Sequence, residues 1–187
     1  MKTLLLLLAI GMATAFAPAQ PREGKKLEMT LSGSYQNYSS GSESQSTGAF
    51  LLSPRVGFFV VGGLEIEPEV IALFASGADP VYNLNGLLSY NFPAVGNAAP
   101  FVVIGYGIAN TVPFFHVPLT KMDFTVDVLN IGGGVKVFVT EDVALRLEYR
   151  YQGFSGQGST VAYGFFSYTE KVDMRIHTVE FGFSVLL

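Results

Sequence analysis

Cysteine and tryptophan are both missing from this 187-residue chain, histidine occurs only twice, and charged residues make up just 14 % of it. Without cysteine there is no disulfide framework, no thiolate metal site and no lipidated N-terminal cysteine. With 11 basic against 15 acidic residues the chain has no basic stripe of the kind nucleic acids require, so a nucleic-acid partner is excluded. Beyond its first residues it has no run of about eighteen apolar residues either, which excludes a helical membrane span. Yet 49 % of the chain is hydrophobic, and it holds 21 glycines, 16 phenylalanines and 9 tyrosines. So many apolar residues without an apolar helix must be buried in another way.

The N-terminus gives the compartment. Lys2 supplies a positive start, Leu4 to Leu8 with Ala9 and Ile10 a short apolar core, and small residues follow. This is the layout of a secretory signal peptide. Cleavage after Ala17 would put Pro18 beside the scissile bond, so the site after Ala19 is preferred and the mature chain begins at Gln20. The expected organisation is a signal peptide over 1–19, a short periplasmic segment over 20–25 and one domain over 26–187. About 165 residues after cleavage suffice for a single domain.

The rest of the chain alternates with period two, the signature of strands. Leu27, Met29, Leu31, Gly33 and Tyr35 oppose Glu28, Thr30, Ser32 and Ser34. Seven more segments follow the same rule, near 48–60, 64–74, 82–92, 100–109, 129–137, 143–152 and 178–187. Most reach the roughly nine to eleven residues that a tilted strand needs to cross hydrocarbon. Short turns near 61–63, 93–98 and 140–142 alternate with longer connections near 38–46, 75–81, 111–123 and 155–171. Outer-membrane barrels show that alternation between periplasmic turns and extracellular loops.

A soluble eight-stranded barrel alternates too, but its outward face is solvated and rich in Lys and Glu. Here the more polar face carries Gly, Ala, Ser and Asn with a few clustered charges, which suits a cramped lumen. Aromatic residues gather near the segment ends of the apolar face. Tyr35, Phe50, Phe74, Tyr82, Tyr151 and Phe154 lie toward the loops, and Phe58, Tyr90, Phe92 and Phe183 toward the turns. Two such girdles mark a membrane barrel. The expected fold is therefore all-β, an eight-stranded antiparallel up-and-down transmembrane barrel.

Two irregularities need a device. Pro54 and Pro68 sit mid-strand on either side of the same turn, and a shared bulge is the expected remedy. Val172, Met174 and Ile176 are out of phase with Val179 to Leu187, which calls for a bulge near His177.

Leu52-Ser-Pro-Arg-Val-Gly-Phe-Phe59, Val102-Val-Ile-Gly-Tyr-Gly107, Gly132-Gly-Gly-Val-Lys-Val-Phe138 and Val143-Ala-Leu-Arg-Leu-Glu-Tyr-Arg150 resemble the outer-membrane β-barrel family of OmpA/OmpX type. The resemblance covers essentially the whole mature chain. It implies location in the outer membrane of a Gram-negative-type bacterium, insertion by the barrel assembly machinery, a monomer, and lipid as the surrounding partner. One departure is the C-terminus. The family usually ends in an aromatic residue, whereas this chain ends in Leu187 with Phe181 and Phe183 further in.

Candidate chemistry is confined to the lumen. Arg55 on the second segment, Glu65, Glu67 and Glu69 on the third, Lys136 on the sixth, and Arg146, Glu148 and Arg150 on the seventh all fall on the polar face. Eight strands leave an interior just wide enough for side chains, so these charges are expected to meet across it. They would then either plug the barrel or line an ion path. Glu28, Asp127 and Glu180 add further acid, so any leak should favour cations. Gly105-Tyr-Gly107 and Gly132-Gly-Gly134 lack nucleotide-loop spacing and precede no helix, so no cofactor is expected. His116 and His177 have no second histidine or cysteine near them in sequence, so no metal site is expected. Barrel enzymes that deacylate lipid A use a His-Ser-Glu arrangement near the seventh strand; this chain reads Tyr149-Arg-Tyr-Gln-Gly-Phe154 there. The expectation is a non-enzymatic barrel with a structural role or one exerted through its surface loops. A narrow conduit is the first alternative and a lipid-modifying enzyme the second.

Overall fold

The computed structural model describes residues 24–39, 46–75, 80–110, 126–162 and 166–187. The proposed signal peptide, His116 and most loop tips lie outside these residues. Eight strands follow one another: β1 (Leu27–Ser39), β2 (Ser46–Val61), β3 (Leu64–Ala75), β4 (Val81–Asn91), β5 (Ala98–Ala109), β6 (Val126–Phe138), β7 (Val143–Ala162) and β8 (Phe166–Leu186). Each pairs antiparallel with the next, and β8 returns to β1, closing the barrel. Closure from Glu28↔Leu186 to Gly33↔Phe181 pairs sheet edges that would otherwise expose backbone to lipid.

The period-two pattern decides which side faces out. Met29, Phe58, Ile66, Leu84, Ile104, Leu129, Leu145 and Phe183 are all substantially exposed, whereas Glu28, Arg55, Glu65, Asn85, Asn130, Arg146 and Ser184 are buried. This is an inverted arrangement relative to a water-soluble protein, and only hydrocarbon surroundings make it favourable. Three tight turns hold one rim. Gly62 (φ 55°) and Gly96 (φ 66°) take the left-handed conformation in two of them, one that glycine adopts without steric cost. In the third, Thr140 Oγ1 accepts from the backbone N–H of Val143 at 3.0 Å.

The prolines are accommodated without the expected bulge. Leu52↔Ala72, Arg55↔Glu69 and Phe58↔Ile66 keep a single register past both residues, and the shift lies at Phe59 to Val61 beside the turn. The β2–β3 ladder is interrupted around the prolines, which lack the donor. Side chains tie the same seam from inside: Arg55 Nε lies 2.7 Å from Glu69 Oε1, and Ser53 Oγ donates to that oxygen at 2.6 Å.

The expected bulge near His177 is also absent. β8 pairs with β7 in one register from Val143↔Val185 to Ala162↔Phe166. Met174 and Ile176 are therefore in phase with Thr178 and Glu180 and point inward, against the buried cluster of Ala109, Val126, Val128 and Phe154. Phe154, assigned above to the outer girdle, is 1 % exposed and belongs to that interior cluster. Most of the connection expected over 155–171 is strand, because the β7–β8 hairpin continues well beyond the length a membrane crossing needs.

Candidate functional site in the barrel interior

Alternation sends every second side chain of six strands into one confined space. Ten charged residues end there: Glu28 from β1, Arg55 from β2, Glu65, Glu67 and Glu69 from β3, Lys136 from β6, Arg146, Glu148 and Arg150 from β7, and Glu180 from β8. None is more than 2 % exposed. Charges so thoroughly removed from water must be compensated within the protein.

Arg55 is the hub. Besides Glu69, its guanidinium reaches Glu148 Oε2 at 2.7 Å and Glu180 Oε2 at 2.9 Å, with Glu67 at 3.7 Å. Arg150 donates from Nη1 to both oxygens of Glu69, at 2.8 and 2.7 Å, and from Nη2 to Glu148 Oε1 at 2.6 Å. Arg146 lies 3.2 Å from Glu67 and 3.0 Å from Glu148, and its guanidinium carbon stacks 4.2 Å from the centre of the Phe101 ring. The planar fork of arginine makes such simultaneous engagement possible.

All eight residues proposed from sequence lie in this interior, where Glu67 and Glu69 of β3 are met by arginines. Glu65 is not met by an arginine. Lys136 takes it at 3.2 Å while holding Glu28 at 2.7 Å, and Asn91 Nδ2 donates to Glu65 Oε2 at 2.9 Å. Glu28 and Glu180, noted only as additional acid, are full members. Asp127 is not: it shares the outward face of β6 with Leu129 and accepts a hydrogen bond from the Tyr106 hydroxyl. His177 is likewise on the outer face, with Nδ1 bonded to the Tyr149 hydroxyl at 2.5 Å. Among the described residues no group of three His, Cys, Asp or Glu is arranged to hold a metal ion.

Apolar side chains occupy the lumen on the loop side of the charges. Ala49, Leu51, Ile71, Leu73 and Val81 form one buried cluster, and Phe154 with Val126 and Val128 another. A purely polar lumen leaves no place for these residues. The available signal was hydrophobicity on both faces near the loop ends, as in Leu51-Leu52 and Ile71-Ala-Leu-Phe74.

A closed antiparallel cylinder with an apolar exterior and a charged interior, its short turns on the rim that holds both strand termini, is a transmembrane β-barrel of the outer-membrane class. The chain belongs to the outer membrane protein β-barrel domain family, whose model matches residues 3–185, and it is a protein of the Gram-negative outer membrane. Solved structures share the fold at low identity. Neisserial surface protein A is 15 % identical, with a TM-score of 0.63 over 86 % of this chain and 97 % of that one. The N-terminal barrel domain of Pseudomonas aeruginosa OprF is 13 % identical, with a TM-score of 0.53 over 88 % and 100 %. OprG from Pseudomonas aeruginosa is 14 % identical, with a TM-score of 0.51 over 86 % and 96 %. No curated protein sequence matches the chain.

Proposed function

We propose that this barrel is a non-conducting, non-enzymatic envelope protein, with a structural role or one exerted at the cell surface through its loops and the long β7–β8 hairpin. One observation carries the reading: ten interlocked charges reach into the lumen from opposite walls, and apolar clusters lie on their loop side. An ion crossing this interior would have to displace ion pairs about as costly to break as a buried salt bridge, roughly 3–5 kcal/mol each, and then pass Phe154 and Leu51. The protein would act as a monomer surrounded by lipid, inserted by the barrel assembly machinery.

A narrow cation conduit is the second reading, and a specific observation favours it. Six carboxylates face four cationic side chains, and Glu65 Oε1, Glu67 Oε1 and Glu180 Oε1 are buried without a hydrogen-bond partner. Planar-bilayer recording of the refolded protein decides between the two. Absence of unitary current from the unmodified protein, with current appearing in Arg55→Ala, supports the sealed barrel. Cation-selective current from the unmodified protein refutes it.

A further inference from the structure

The barrel wall is unevenly stitched. β1 continues to Ser39 and β8 begins at Phe166, yet among the described residues the ladder between them covers only Glu28↔Leu186 to Gly33↔Phe181. Over the same stretch β8 stays paired to β7 without interruption. The β7–β8 hairpin thus parts from β1 on the loop side of Gly33. An outward cleft of about 490 Å³ lies at this point, lined by Gly33, Tyr35, Phe50, His177, Val179 and Phe181 among others.

The cleft is apolar at one end and polar at the other. Val179 and Phe181 are outward members of the lipid-facing band, 48 % and 66 % exposed. The ten steps from Leu187 to His177, rising ~3.3 Å each at a tilt of ~40°, climb about 25 Å, the height of a barrel's apolar band. His177 therefore stands where hydrocarbon gives way to headgroups. Its ring is positioned by the Tyr149 hydroxyl at 2.5 Å and by an edge contact with Tyr151, ring centres 5.3 Å apart. When the Tyr149 hydroxyl donates to Nδ1, Nε2 carries the ring proton and is a donor. Two residues further along β8, Arg175 is exposed, with Asp173 at 4.0 Å.

We propose that this cleft is a binding site for one membrane lipid. An acyl chain lies along Val179 and Phe181 beside the bare backbone of Gly33, and an anionic headgroup rests against His177 and Arg175. The occupant is a bilayer lipid because the cleft is continuous with the lipid-facing surface and its polar end lies at headgroup depth. An apolar protein segment would offer no anionic partner to the exposed Arg175 guanidinium.

The chain contains no tryptophan, so a single introduced one reports locally. Phe50→Trp places it in the cleft, and Ile104→Trp on β5 is a control of similar exposure, the native residues being 48 % and 53 % exposed. Each full-length variant is refolded into phosphatidylcholine vesicles in which about one lipid in ten is brominated, either phosphatidylglycerol or phosphatidylcholine. A site with tenfold preference would hold the minority lipid about half the time rather than a tenth. The expected ratio of quenching by the anionic lipid to quenching by the zwitterionic one is about fivefold at position 50 and about one at position 104. His177→Ala combined with Arg175→Ala, both on the outer surface, should bring the first ratio to one while heat-modifiable mobility shows the barrel folded. Equal ratios at the two positions, or a raised ratio that survives the double substitution, would overturn the site. Quenching at position 50 by a brominated free fatty acid, but not by brominated phosphatidylglycerol, would overturn the bilayer lipid as its occupant.

Discussion

Replacing Arg55 with alanine removes the one cation that touches four carboxylates. Glu69 and Glu148 keep Arg150, at 2.7 and 2.6 Å, but Glu180 is left with Arg150 at 3.7 Å as its nearest cation. The loss also unties the β2–β3 seam where Pro54 and Pro68 interrupt the backbone ladder. Breaking a buried pair by removing one partner costs about 3–5 kcal/mol, because the remaining charge stays desolvated. Several pairs share this guanidinium, so their separate values do not add, and ~4 kcal/mol is a reasonable expectation. With a urea slope of about 1–3 kcal/mol per molar, the unfolding midpoint should fall by roughly 1–4 M. The measurement is urea titration of the barrel in lipid vesicles, read as the fraction with folded gel mobility and checked by far-ultraviolet circular dichroism. Arg55→Lys keeps the charge but not the fork and should fall between the two. Val56→Ala, on the outer face next to it, should lose less than about 1.5 kcal/mol. If Arg55→Ala unfolds within about 0.3 M of the unmodified protein, the charges do not form one mutually dependent unit and the reasoning fails.

Arg146→Ala should also destabilise, and adding Glu67→Gln should recover part of the loss because the two lie 3.2 Å apart; a strictly additive double mutant would contradict the pairing. Gly134→Ala should cost about 1–3 kcal/mol in the same titration, since a Cβ there would collide with the Leu147 carbonyl on the paired strand; unchanged stability would mean that β6 and β7 are further apart than described. A protease site inserted at Gly41 or Gly164 should be cut on intact cells and one at Gly62 protected, the reverse pattern indicating an inverted barrel.

Strand number, the facing of nearly every residue and the lumen position of the charges were all legible in the sequence, because a period of two needs only local information. Facing is fixed strand by strand. Partnership across the lumen is not, since it depends on stagger between strands, so nothing local in the sequence assigns Lys136 rather than an arginine to Glu65. Phe154, Met174 and Ile176 were misread for a related reason. The polar-inside rule was extended to the loop end of the lumen, where the structure instead packs apolar residues against one another. Pro54 and Pro68 were rightly flagged as a disturbance, but the remedy lies in side chains of the opposite face, which a rule about backbone donors does not anticipate.

The charged residues of the lumen come from the first three and the last three strands, and β4 and β5 add none. Arg55 lies 93 residues from Glu148 and 125 from Glu180 in the chain. A half-built sheet of β1 to β4 would therefore carry Glu28, Glu65, Glu67 and Glu69 with only Arg55 to match them, while their remaining counter-ions had yet to arrive. Unmatched carboxylates are costly in hydrocarbon. The counter-ions of the β3 carboxylates are complete only when β6, β7 and β8 are in place, so it is the closed cylinder, rather than any part of it, that hydrocarbon favours.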